Sequence, residues 1–351
     1  MTHRENLFRA LRRQQPHHVP FFFTLCDDQI KTCREKTGTE DFFEAFDLPI
    51  RYVSIGPSHH LPDYSAYYPG LPQGAYLDEW GVGYAPGRFH HFTRMLHPMQ
   101  EFTSPAQVEA FPLPDLLAGY RWEGVAERIQ KIQQAGYMAV YFALQIFEPA
   151  WYLRGMDQFL VDMLEDEAMT QAMLERITHI QCGFARRLAQ CGIDMIVYGD
   201  DVGSQRGMMM SPRQWRRWLK PTMQRAIAAA KSVNPDMLAF YHSDGDIRDI
   251  IPELIEIGVD VLNPVQPECM DPRAVKARYG DRLSFWGTIG TQTTLPFGTP
   301  DQVRQAVREM IDTVGVGGGL VLAPTHLVEP EVPWENLLAF VDEARRYGIY
   351  R

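Results

Sequence analysis

The stretch Met237-Leu238-Ala239-Phe240-Tyr241-His242-Ser243-Asp244-Gly245-Asp246 decides how this chain is read. An unbroken apolar run with no polar alternation describes a strand buried on both faces, as in a parallel sheet covered by helices. The run then gives way to a polar turn, His-Ser-Asp-Gly-Asp. Beyond it Ile247, Ile250, Ile251, Leu254 and Ile255 recur at helical spacing, and Gly258 stands where a helix would stop in a left-handed cap. Strand, polar turn and amphipathic helix make one βα unit.

Working outward, apolar runs of the same kind occupy residues 137–144, 195–198, 260–263, 283–286 and 319–322, and two more, 19–25 and 51–55, lie upstream. Eight such runs in a chain of 351 residues predict an α/β protein, a single (β/α)8 TIM barrel spanning residues 1–351. The helices between them carry start signals. Ser104-Pro105-Ala106-Gln107, Ser211-Pro212-Arg213-Gln214 and Thr299-Pro300-Asp301-Gln302 each place a hydroxyl at the cap, proline at the first helical position and glutamine three residues after the cap. Residues 57–103 read differently. Prolines and glycines alternate there with Tyr, Trp, Phe and His without helical period, which predicts a long loop inserted as a lid or rim over the barrel mouth. The run Gly315-Val316-Gly317-Gly318-Gly319 precedes the last strand instead of following one, so it reads as a turn on the far face and not as a phosphate cradle.

Composition narrows the function. Apolar residues make up 45% and charged ones 22%, a globular balance, and Lys plus Arg number 34 against 44 Asp plus Glu. A formal charge of −10 gives a phosphate backbone nothing to bind, so nucleic acid is excluded as a partner. No run nears the ~18 apolar residues of a membrane span, and residues 1–15 carry four arginines without the apolar core of a signal peptide. The five cysteines form no CxxC pair. A soluble, cytoplasmic protein with free thiols is expected, without membrane contact and with a small molecule as substrate.

In a barrel of this kind the chemistry sits at the C-terminal strand ends. Those ends hold Thr24, Cys26, Asp27 and Asp28; Gln145 and Glu148; Asp200 and Asp201; His242, Asp244 and Asp246; Asn263 and Gln266; Thr288 and Gln292; and Thr325, His326 and Glu329. His242 and Asp244, two apart, project to one side in extended geometry. With His326 they offer two imidazoles and a carboxylate to zinc or another divalent metal, and Glu148 is a fourth ligand or a general base. The alternative for Asp244 or Asp246 is capping the helix that begins near Ile247. Of the successive Asp200 and Asp201, one faces inward and one away, so one can meet substrate while the other supports a loop. Their repulsion would raise one of the two pKa values. Gln266, Gln292 and Asn263 are positioned to orient a substrate. No Gly-x-Ser-x-Gly elbow is present.

Residues 242–247 and 257–266 resemble the uroporphyrinogen decarboxylase superfamily, as do Phe285-Trp286-Gly287-Thr288-Ile289, Leu295-Pro296-Phe297-Gly298-Thr299-Pro300, Ala323-Pro324-Thr325-His326 and Val332-Pro333-Trp334-Glu335-Asn336. The resemblance covers residues 137–348 and supports the barrel. It implies either a cofactor-free decarboxylase or a zinc-dependent methyltransferase serving a corrinoid protein or a thiol. The decarboxylases carry arginines near the first strand for the tetrapyrrole carboxylates, whereas here that segment reads Cys26-Asp27-Asp28-Gln29-Ile30-Lys31. The methyltransferase branch has His-x-Cys after the fifth strand and a further Cys after the eighth; His242 matches the histidine, while Asp244 and His326 stand where sulfurs would be. Exchanging thiolate for carboxylate and imidazole leaves a harder Lewis acid, suited to an oxygen substrate. The resemblance therefore implies a methyltransferase of the O-demethylase type, moving a methyl group from a methoxylated small molecule to a corrinoid on a separate protein. The rival is a metal-free or metal-assisted lyase or decarboxylase of a small hydroxylated or carboxylated compound, with Asp200 or Glu148 as acid and base.

Overall fold

The structure is a computed structural model that describes residues 1–87 and 93–350. Its centre is a seven-stranded, wholly parallel sheet in which neighbours follow chain order: β1 (Ile50–Tyr52), β2 (Met138–Leu144), β3 (Met195–Gly199), β4 (Leu238–His242), β5 (Val261–Asn263), β6 (Ser284–Trp286) and β7 (Leu320–Val321). Alternate residues of successive strands, Tyr52, Val140, Phe142, Val197, Phe240 and His242 among them, line one shared cavity, so the sheet curls around its own inner face. The intervening residues face the helices: Tyr141 packs on Phe184, and the Tyr198 hydroxyl reaches the Ala226 carbonyl at 3.5 Å.

Residues 19–25, expected as the first strand, add no ladder of their own. They lie parallel to the chain that follows β7 through isolated bridges, Phe21 to Leu322 and Leu25 to Val328. Pro20 is part of the reason: it offers a carbonyl to Leu322 N–H at 2.9 Å but has no N–H to continue a ladder. Phe22 then packs on Phe43 and Tyr52, joining this segment to the β1 edge.

Three helices matter for the site: α1 (Phe147–Arg154), α2 (Glu167–Gln190) and α3 (Pro212–Lys231). The caps read from sequence are in place, with the Ser211 hydroxyl accepting from Gln214 N–H and a complete capping box at Thr299 and Gln302. The helix expected from Ile247 is shorter: Arg248–Ile250 is a 3-10 turn and Ile251–Glu256 the α-helix, with Pro252 in its first turn. Ile247, Ile250, Ile251 and Leu254 are nevertheless all fully buried.

The insertion contains a small antiparallel sheet, Tyr76–Leu77, Gly83–Pro86 and Thr93–Leu96. Its residues 88–92 lie outside the described residues. Asp78 fixes one turn by accepting from the N–H groups of Trp80 and Val82, and the Tyr68 hydroxyl donates to the Gly81 carbonyl. The glycine run is the turn before β7, with Gly317, Gly318 and Gly319 all at positive φ. No helix among the described residues is long and apolar enough to cross a membrane.

Candidate active site

The site is assembled by two backbones in contact. Gly203 follows β3 and Gly245 follows β4; a Cβ on Gly203 would stand 2.4 Å from the Asp244 carbonyl oxygen, and one on Gly245, at φ +82°, 2.6 Å from the Gly203 carbonyl carbon. Only glycine permits that approach. It brings Asp201 and Asp244 together, and Asp244 N–H donates to Asp201 Oδ1 at 2.8 Å.

Asp200 and Asp201 divide as successive residues must. Asp200 is 2% exposed and accepts from the N–H groups of Ile146 and Glu148, satisfying free donors at the start of α1. Its carboxyl lies well above the ordinary range because burial disfavours its charge and Glu148 stands near. The cause is thus burial and Glu148, not the neighbouring Asp201 that sequence reasoning invoked. Asp201 faces His242, Oδ1 to Nε2 at 3.6 Å.

His242 ends β4 on the inner face. Its Nδ1 lies 2.6 Å from Asn263 Oδ1, while Asn263 Nδ2 donates to the Trp286 carbonyl at 2.8 Å. The Trp286 bond fixes the amide with its oxygen toward the ring, so Nδ1 carries the hydrogen and Nε2 is turned to the carboxylates. Asp201, His242 and Asp244 together present ligand atoms within 4.8 Å of one another. Burial raises the Asp244 carboxyl and the His242 ring opposes the rise. Asp246 takes the local turn instead, accepting from Arg248 N–H and pairing with its guanidinium.

His326 is not a member of that cluster. It is exposed beyond β7, 3.7 Å from Glu329, and lines the same cavity as His242. Glu148 is 7% exposed, and burial, with Asp201 close by, pushes it up to about 7. It accepts from the Tyr152 hydroxyl at 3.1 Å and from the Gln145 amide. Tyr152, which sequence reasoning passed over, is one helical turn after Glu148, the i+4 position that meets it. Gln266 is buried and accepts from Gly245 N–H at 3.3 Å, whereas Gln292 is exposed and bonded to Gln205. Both line a polar groove of about 380 Å3 that Asp244 and His326 share. A pocket of about 210 Å3 separates Asp78 and Trp80 of the insertion from Gln145 and Tyr152. All five cysteines are free.

A family model described as uroporphyrinogen decarboxylase (URO-D) matches residues 97–347. Among curated proteins, the uroporphyrinogen decarboxylase of Thermus thermophilus is 26% identical over 182 residues, 51% of this chain and 49% of that one. The methylated-thiol–coenzyme M methyltransferase of Methanosarcina mazei is 24% identical over 215 residues, 58% of this chain and 52% of its own. The chain spans about half the length of the curated relatives it matches. A solved structure of a methyltransferase from Methanosarcina mazei superposes over 99% of both chains with a TM-score of 0.69 at 20% identity, which establishes a shared fold.

Proposed function

The chain belongs to the uroporphyrinogen decarboxylase family, and within it we propose a metal-dependent methyltransferase that takes the methyl group of a small methoxylated compound and passes it to a corrinoid held by a separate protein. One observation carries this reading: the convergence of Asp201, His242 and Asp244 at the strand ends. The donor set fits a divalent cation. Asn263 accepts from the imidazole Nδ1 and so orients the ring, as the hydrogen-bond partners of metal-bound histidines do, and two crowded carboxylates lack any Lys or Arg partner among the described residues. His326, across the groove from Asp244, is a candidate further ligand. Zinc or another divalent ion, when bound, supplies Lewis-acid polarisation of an ether oxygen.

The protein's own groups do the rest. Glu148, protonated up to about neutral pH, holds a proton beside Asp201. In the reaction the methyl–oxygen bond breaks with its electron pair on oxygen, the methyl goes to the reduced corrinoid, and Glu148 gives the oxygen its proton. Asp200 keeps Glu148 in place through the N–H groups of the α1 start. Asn263, Gln266 and Gln292 bound the space in which the substrate lies, and the insertion sheet closes over it as a lid.

Metal analysis of protein purified without chelator tests the reading. The wild type is expected to hold about one divalent ion per chain, lost in His242→Ala and in Asp244→Ala, and to demethylate methoxylated compounds only with a reduced corrinoid protein present. A wild type that takes up no metal on reconstitution refutes it. Turnover of hydroxylated or carboxylated compounds without any corrinoid supports the rival lyase, whose acid–base group would be the same Glu148.

A further inference from the structure

The cavity inside the curled sheet has a volume of about 390 Å3 and a wall of a particular kind. Five aromatic side chains follow one another along it: Phe240 to Trp286 at 5.4 Å, Trp286 to Phe22 at 5.4 Å, Phe22 to Tyr52 at 6.3 Å and Tyr52 to Phe142 at 5.9 Å, every pair edge to face. Phe142 is 54% and Tyr52 40% exposed, and both open onto this chamber. The strand register slips between Tyr141 and Leu144, a bulge that sets the Phe142 position apart from the ladder. Apolar surface left open inside a fold forgoes the dispersion contacts that a ring in the space would restore.

Two features define what fits. Among the described residues no Lys, Arg, Asp or Glu lines the chamber, so a charged group carried into it would lose its water without gaining an ion-pair partner there. The Tyr52 hydroxyl makes no hydrogen bond among the described residues, and although its side chain is open to the chamber, the fold that encloses the chamber pushes its pKa up and keeps it neutral. It is a free donor and acceptor on a mostly apolar wall. At the other end stand His242 and Asn263, and Thr325, His326 and Leu327 line both the chamber and the polar groove. The metal-ligand candidates therefore stand where an apolar compartment meets a polar one.

We propose that the chamber binds the ring of a small uncharged phenol, with the phenolic hydroxyl on Tyr52 and the opposite end of the molecule at His242. The substrate class of the site is then an uncharged methoxyphenol, an assignment that rests on the methyl-transfer reading for its chemistry but not for its binding. The volume suits one substituted ring, near the lower end of the roughly 300–1,000 Å3 of small-molecule sites, and is far too small for a tetrapyrrole.

Calorimetric titration of the full chain with para-methoxyphenol, anisole and para-methoxybenzoate tests this in the wild type and in Tyr52→Phe, which keeps the ring. Para-methoxyphenol is expected to bind tightest and para-methoxybenzoate about a hundredfold more weakly or not at all. Tyr52→Phe is expected to weaken para-methoxyphenol about tenfold and leave anisole unchanged. Val197→Phe, which fills the chamber from β3, should abolish binding of both while His242 and Asp244 still take up metal. Equal affinity for the benzoate, an equal loss of both neutral rings in Tyr52→Phe, or no binding of any ring overturns the proposal. Ring binding without methyl transfer to any corrinoid acceptor leaves the chamber's assignment standing and removes the methyl-transfer reading. Transfer from aliphatic ethers by a protein that binds none of the rings does the reverse.

Discussion

Replacing Glu148 by Gln in protein stripped of metal should make the chain more stable, and only at high pH. Glu148 is 7% exposed, and burial with the nearby Asp201 charge moves its pKa from 4.5 to about 7. At about 1.36 kcal/mol for each pH unit between the two values, ionising it in the fold costs about 3 kcal/mol of stability. The folded value lies above the unfolded one, so the folded chain binds more protons between pH 4.5 and 7. The cost is absent below that window, grows through it and is complete above it. Glutamine keeps the shape, still accepts from the Tyr152 hydroxyl, and meets Gln145 once that amide turns its oxygen inward. Urea denaturation from pH 5 to pH 8.5 is expected to show Glu148→Gln within about 1 kcal/mol of the wild type at the acid end and about 3 kcal/mol more stable at the alkaline end. Methyl transfer by the metal-loaded variant should fall as well, because the amide has no proton to give. A stability difference that does not change with pH, or a variant less stable at pH 8.5 than the wild type, refutes the reasoning.

Two further outcomes follow from the same contacts. Asn263→Ala removes the acceptor that turns His242 Nε2 toward Asp201, so zinc affinity measured against a competing chelator should fall roughly 10- to 100-fold with all proposed ligands intact; an unchanged affinity would mean the imidazole needs no such support. Arg154→Met takes from Asp162 its ion-pair partner at 2.7 Å, with both side chains at most 5% exposed, leaving it the Gln158 amide, and frees the carbonyls of Met99, Gln100 and Phe102 that the guanidinium also holds. A loss of about 3–5 kcal/mol in urea denaturation is expected, and a loss below about 1 kcal/mol would contradict the buried-pair reading.

The strands were legible because each is an apolar run without alternation, the mark of burial on both faces. Six of the eight expected runs, from residue 137 onward, match strand positions within a residue or two. The ends of the chain's logic were less open to reading. Residues 19–25 look like a strand by composition, yet Pro20 cannot continue a ladder. The insertion reads as loop because its strands run only two to four residues, too short to show a period. At the site, the pairing of His242 with Asp244 follows from alternation along one strand. The entry of Asp201 into the same cluster does not, because it depends on the contact of Gly203 with Gly245, residues 42 positions apart whose proximity no local pattern encodes. The aromatic chamber was hidden for a similar reason. Phe22, Tyr52, Phe142, Phe240 and Trp286 come from five separate segments and meet only once the sheet has curled.

The carboxylates around the strand ends differ in how their charge is met, and that difference separates scaffold from chemistry. Asp200 is met by backbone N–H groups and Asp246 by Arg248. Asp201 and Asp244 cluster with the His242 ring, Glu148 stands near Asp201 and His242, and no Lys or Arg is paired to any of the three carboxyls among the described residues. Such an arrangement is unfavourable unless protons or a cation enter it. Glu148, pushed up to about 7, is the group that holds a proton there near neutral pH, and burial displaces the Asp244 carboxyl in the same direction. A cation arriving beside Asp201 and Asp244 would offset the repulsion between their carboxylates. Glu148, tied to Tyr152 and Gln145 instead, would keep a proton available for a leaving oxygen. Next to it lies a chamber that no Lys, Arg, Asp or Glu lines among the described residues. A ligand that satisfies both halves has an uncharged, ring-shaped body and one oxygen that can be shared with a cation, and an aryl methyl ether meets both conditions.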